Sequence, residues 1–116
     1  MDTNERIKEQ LDNNHILLYM KGSPDFPQCG FSGQTVAALK AIGQPFSYVN
    51  IFDDEEIRQG LKTYSNWPTF PQLYVDGEFV GGADILMELH TNGELAPMLG
   101  GGAEREAAEA SAETAD

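Results

Sequence analysis

His15–Gly43, HILLYMKGSPDFPQCGFSGQTVAALKAIG, carries three patterns in succession. His15 to Met20 is a short, unbroken apolar run and reads as a buried strand. Gly22 to Gln28 holds two prolines and a glycine and reads as loop. Gly30 to Ile42 is free of proline, and Val36, Leu39 and Ile42 fall at helical spacing before Gly43 closes the run. Strand, loop and helix in that order begin a crossover between parallel strands, so the stretch points to an α/β fold.

The flanks continue the alternation. Thr3 to Asn13 reads as a short amphipathic helix, with Ile7 and Leu11 four residues apart. Phe46 to Phe52 is strand-like. Asp53 followed by Glu56 resembles a capping box with Asp53 as N-cap, and the helix behind it sets Ile57, Leu61 and Tyr64 on one face. Pro71 to Val75, Asp76-Gly77 and Glu78 to Val80 form a hairpin signal, because Asp-Gly suits the left-handed angles of a tight turn. Gly81-Gly82 breaks that strand, Ala83 to Leu89 is helical, and a last short turn ends near Leu99. The predicted fold is a four-stranded mixed sheet flanked by helices, the thioredoxin-like arrangement. Residues 1–99 form the domain. Residues 100–116 read as an acidic, disordered tail without large apolar residues, unable to offset its ordering entropy by burial.

Charge and cysteine content narrow the function. The net charge is −12, and phosphate binding needs clustered Lys and Arg, which argues against nucleic acid or an anionic membrane as partner. No stretch approaches the length of a membrane span, and Met1 to Gln10 lacks the apolar core of a secretory signal. Cys29 is the only cysteine, which excludes an internal disulfide framework and fits a reducing cytoplasm.

A free cysteine is commonly a small buried hydrophobe. Cys29 instead stands where the proline-rich loop becomes helix. Free backbone N–H groups and the positive helix end favour a thiolate there. The dipole is worth only about 0.3–1 kcal/mol, less than one pKa unit, so a cation must help. Lys21 ends the preceding strand and is the obvious source, although alone it reads more readily as a solvated strand-end lysine. Ser32 occupies the place where a C-x-x-C motif has its second cysteine. A hydroxyl cannot resolve a mixed disulfide, so two-thiol exchange within one chain is excluded.

Lys21-Gly22-Ser23-Pro24, Pro27, Cys29-Gly30-Phe31-Ser32, Trp67-Pro68-Thr69-Phe70-Pro71-Gln72-Leu73, and Gly81-Gly82 with Asp84 occur in that order. Together they resemble the monothiol (CGFS-type) glutaredoxins, most of all the short single-domain bacterial form. C-x-x-S alone is a weak signal; joined to W-P-T-F-P and G-G-x-D it is specific. The resemblance implies a cis Phe70–Pro71 bond beside Cys29, with the backbone of Phe70 pairing with bound glutathione. It implies that Lys21 and Arg58 hold the glycine carboxylate. Ala83 and Asp84, at a helix start, would hold the γ-glutamyl end. Many relatives carry Cys or another small residue at Ala83; a backbone contact survives that change and a side-chain role does not. Arg58 also reads as a surface residue pairing with Asp54, four residues earlier. Glutathione has two carboxylates, and repulsion by an acidic chain is screened beyond about 8 Å at physiological salt, so Lys21 and Arg58 can decide binding locally.

A 2Fe-2S cluster held by thiolates takes four of them, and one chain offers one. The resemblance implies a homodimer bridging the cluster, with each Cys29 and each of two glutathiones as ligands. It also implies mixed dimers with a BolA-type protein and hand-over of the cluster to recipient apo iron–sulfur proteins. The first expectation is therefore an iron–sulfur carrier. A second is a glutathione-dependent thiol–disulfide oxidoreductase of low activity, with Cys29 as catalytic nucleophile. A third is an interaction module with Cys29 as a redox-sensing thiol. A Cys–His hydrolase is disfavoured, because His15 and His90 lie in no hydrolase motif.

Overall fold

In the computed structural model, which describes residues 2–100, the strand β1 (Ile16–Met20) is buried at all five positions. Its side chains alternate between two cores, which is why its sequence is apolar without a polar face. Leu17 and Tyr19 meet Ile7 and Leu11 of helix α1 (Thr3–Asp12) and Ile57 and Leu61 of helix α3 (Glu55–Ser65). Ile16, Leu18 and Met20 face Val36 and Leu39 of helix α2 (Gly30–Ile42) and Leu86 of helix α4 (Ala83–Thr91). Leu95 and Leu99, from and just after the short helix α5 (Leu95–Met98), close this second core. Helices thus cover both faces of one sheet.

The sheet order is β2-β1-β3-β4, with β2 at Ser47–Asn50, β3 at Gln72–Val75 and β4 at Glu78–Gly81. Helix α2 carries the chain from β1 to a parallel β2, as the sequence implies. The next crossover differs. Helix α3 returns the chain to the other side of β1, where β3 runs antiparallel with Leu18 opposite Leu73. The β3–β4 hairpin is closed by Asp76 and Gly77, both left-handed at φ 53° and 84°; that is the pair of angles the Asp-Gly signal anticipates.

Local corrections follow from side-chain bonds the sequence does not display. The strand expected over Phe46 to Phe52 stops at Asn50, and Ile51–Asp53 forms a 3₁₀ turn. The Asn50 side chain accepts the Phe52 N–H at 3.0 Å and starts that turn. Three residues are consumed, and the N-cap of α3 is Asp54, not Asp53; its carboxylate accepts the Ile57 N–H at 3.1 Å. Asp54 also pairs with Arg6 of α1, so Arg58 bonds Glu55 at 3.2 Å and not Asp54. Gly81 belongs to β4, so the break falls at Gly82 alone, and α4 runs on to Thr91. Of the tail expected over 100–116, Gly100 is described, as a turn residue at φ 70°, and residues 101–116 lie outside the described residues. Among the described residues no helix is long and apolar enough to cross a membrane.

Candidate functional site

Strand directions bring four strand termini to one end of the sheet. β1 and β2 end there, at Met20 and Asn50; β3 starts there and β4 ends there. The crossovers leaving β1 and β2 lead to opposite sides of the sheet, and such a switch point is where open α/β sheets bind ligands. Cys29, Lys21, the segment ending at Phe70, and Ala83 with Asp84 all lie at this end.

The loop from Lys21 to Cys29 is closed on itself. Gln28 N–H donates to the Lys21 carbonyl at 2.8 Å, and Ser23 and Phe26 exchange backbone hydrogen bonds at 3.3 and 3.1 Å. Gly22 allows this closure. Its φ is 94°, and a Cβ there would lie 2.5 Å from the Phe26 carbonyl oxygen and 2.7 Å from Gln28 N. No other residue fits both the angle and the space. Phe26, at the tip, is 74% exposed.

Cys29 is the N-cap of α2 in extended geometry, and its side chain caps nothing. The sulfur is partly exposed. Burial pushes its pKa up. The Ser32 and Phe31 N–H groups, the charge of Lys21 and the Ser32 hydroxyl act the other way and outweigh it, so the thiol sits below its ordinary value. The helix-start argument is thereby given its cation and its amide donors.

Ser32 is fully buried. Its Oγ accepts the Lys21 N–H at 3.2 Å while its hydroxyl serves the sulfur. The residue in the second-cysteine position is therefore a tie between the cation-bearing segment and the thiol. Asn50 makes a comparable tie. Its Oδ1 accepts both the Gly22 and the Phe52 N–H at 3.0 Å, fastening the Lys21 segment to the turn that leads into α3. Sequence reasoning placed Ser32 in the site only as the absent second thiol, and gave Asn50 no role there. An Asn at a strand end carries a weak capping signal; a tie across 28 residues of chain carries none.

The segment before β3 completes the site. The Phe70–Pro71 bond is cis. Among the described residues, the Phe70 backbone N–H and C=O take no hydrogen bond. Gly82 brings α4 against this segment: a Cβ there would lie 2.7 Å from Trp67 Nε1 and 3.4 Å from the Pro71 carbonyl oxygen. As N-cap of α4, Gly82 supplies no side chain, so the first amides of α4, from Ala83 on, have no side-chain partner. Asp84 is exposed and Ala83 half-buried. Arg58 is half-buried one turn into α3, with Nη1 on Glu55. The Lys21 ammonium has no ion-pair partner among the described residues. His15 lies at the far end of β1, against Asp76 and the Leu99 carbonyl.

One measurement checks the electrostatics directly. The rate of Cys29 alkylation by iodoacetamide against pH is expected to reach half-maximum below the usual thiol value of about 8.5. Lys21→Gln is expected to move that midpoint upward, because it removes a charge favouring the thiolate. An unmoved midpoint would show that the amide donors act alone.

Comparison with known proteins bears on the family and the overall fold. The glutaredoxin family model matches residues 16–80. Glutaredoxin 4 of Escherichia coli strain K12 is 56% identical over 97 residues, covering 84% of each chain. A monothiol glutaredoxin, ycf64-like, of Synechocystis is 52% identical over 98 residues, covering 84% of this chain and 92% of its own. The solution structure of reduced apo GrxS14 from poplar superposes with a TM-score of 0.73 at 50% identity, over 83% of this chain and 88% of that one.

Proposed function

The chain belongs to the glutaredoxin family, in its monothiol branch, and from that premise we propose that it carries a glutathione-ligated 2Fe-2S cluster between two protomers and delivers it to recipient apo proteins. The observation that carries this reading is the pairing of Cys29 with Ser32. The thiol is partly exposed and held below its ordinary pKa, which suits a metal ligand. The residue that could have resolved a disulfide on it is a buried serine occupied by Lys21.

The residues present fit the borrowed ligand. Glutathione is a short peptide with a carboxylate at each end. The unpaired backbone of Phe70 offers strand-like hydrogen bonds to its middle. Lys21 offers an uncommitted ammonium to one carboxylate, with Arg58 as a second cation once released from Glu55. The open amides at Ala83 and the carboxylate of Asp84 suit the γ-glutamyl carboxylate and amine. The cluster is cargo: each chain contributes Cys29 alone, and each glutathione one thiolate. A homodimer completes the set of four. A BolA-type protein in place of one protomer is the alternative partner, and a reducing cytoplasm the setting.

Anaerobic reconstitution with iron and sulfide, followed by size-exclusion chromatography read at a visible wavelength, tests the reading. Colour is expected only when glutathione is present, and at twice the monomer mass. Colour without glutathione, colour at monomer mass, or none at all overturns it.

The lowered thiol pKa also supports a second reading, a glutathione-dependent oxidoreductase of low activity. The Cys29 thiolate would attack the glutathione sulfur of a glutathionylated protein and expel the protein thiolate. A second glutathione thiolate would then attack the Cys29 mixed disulfide, giving oxidised glutathione and free Cys29. The long Lys21–Cys29 connection weighs against rapid turnover. Robust turnover in a glutathione-coupled disulfide reductase assay would favour this reading over the carrier.

A further inference from the structure

We propose that Gln72 is a positioning residue for the peptide ligand, aiming the backbone of Phe70 by clamping the two carbonyls that precede it. The inference rests on the glutathione reading above. Gln72 opens β3 and is fully buried. Its Nε2 donates to the Trp67 and Thr69 carbonyls, each at 3.1 Å. Its Oε1 accepts the Tyr74 hydroxyl at 3.1 Å. A side-chain amide has two N–H donors and one carbonyl, and here all three functions are matched. The reverse orientation would set the amide oxygen against two carbonyl oxygens. Burial pushes the Tyr74 hydroxyl up to about 12, so it remains protonated and donating across the neutral range.

The bond to Thr69 matters most. The Thr69 carbonyl and the Phe70 N–H belong to one planar, trans peptide unit and point in opposite directions. Fixing the carbonyl on Gln72 therefore fixes where the Phe70 N–H points, away from the core. Among the described residues no other side chain donates to the Thr69 carbonyl. The start of the segment is held separately, by the Trp67 N–H on Ser65 Oγ at 3.1 Å and on the Lys62 carbonyl at 3.2 Å. Pro68 and Thr69 are exposed; the buried Phe70 ring anchors one end of that peptide plane, and among the described residues Gln72 is the one hydrogen-bond donor that sets its rotation. A buried amide is costly unless fully satisfied. A methionine would fill the same space; what it cannot do is hold two carbonyls.

Gln72→Met keeps the length and removes both donors. In calorimetry with glutathione, its Kd is expected to rise about tenfold, because the competent loop becomes only fractionally populated. The rate of Cys29 alkylation by iodoacetamide, which needs no peptide site, is expected to change less than about twofold, since neither Ser32 nor Lys21 is hydrogen-bonded to Gln72. An unchanged Kd overturns the inference, and so does a parallel loss of both, which would mean general loosening. A second measurement uses the wild-type chain and stands if the variant does not fold. By linkage, saturating glutathione is expected to slow hydrogen exchange of the Gln72 side-chain amide protons about tenfold; unchanged exchange overturns the inference. Wild-type protein that binds no glutathione overturns the glutathione reading and this inference with it. Wild-type binding beside an unaffected variant overturns the inference alone.

Discussion

Cys29→Ser is expected to abolish cluster binding outright, leaving no visible absorption after anaerobic reconstitution with glutathione present. A serine hydroxyl does not ionise near neutral pH, so the substitution removes every thiolate the protein itself provides. In a homodimer two of four cluster ligands vanish together, and the two glutathiones have nothing to bridge to. The fold is expected to survive, because the Cys29 side chain makes no cap bond and is partly exposed. Thermal unfolding should therefore shift by no more than about 0.5 kcal/mol equivalent. The contrast between total loss of colour and near-normal stability distinguishes a lost ligand from a lost structure. Full retention of colour would remove Cys29 from the ligand set.

The second large effect concerns stability. Leu18→Ala is expected to cost about 2–5 kcal/mol, which lowers the melting temperature by at least about 8 °C for a domain of this size. Leu18 is fully buried in the central strand, opposite Tyr48 on one side and Leu73 on the other. It packs in the core that holds Val36, Leu39 and Leu86. Neighbours anchored in three different elements cannot collapse into the gap, so a cavity term adds to the lost transfer energy. Phe26→Ala removes a larger side chain from an exposed position and is expected to stay within about 0.5 kcal/mol. Differential scanning calorimetry of both variants settles the comparison. A Leu18→Ala shift as small as that of Phe26→Ala would mean that β1 is not the keystone of both cores.

Much of this architecture is legible in the chain because it rests on local chemistry. The unbroken apolar run of β1, the glycine stop at Gly43 and the Asp76-Gly77 turn each act within a few residues. The motifs around Cys29 and Phe70 were likewise legible as resemblance, and the strand ends carry both to one end of the sheet. The illegible part is long-range hydrogen bonding. Asp54 outcompetes Asp53 as N-cap because Asn50 first captures the Phe52 N–H. Arg58 turns to Glu55 because Arg6, from the far end of the chain, has taken Asp54. Gln72 could be quoted as a motif letter, but its two carbonyl bonds emerge only once β3 is seated. Side-chain polarity tells that a partner is needed, whereas topology decides which partner it is.

The self-closed loop before Cys29 separates two things a sequence runs together. Lys21 and Cys29 are eight residues apart along the chain, yet the Gln28–Lys21 bond shuts the loop at its base. Extra residues at the tip would lengthen the arm and leave the base where it is; even doubling such a loop costs only about 0.6 kcal/mol. The tip is therefore free to change in length and lettering, while the chemistry at the sulfur keeps its own grammar.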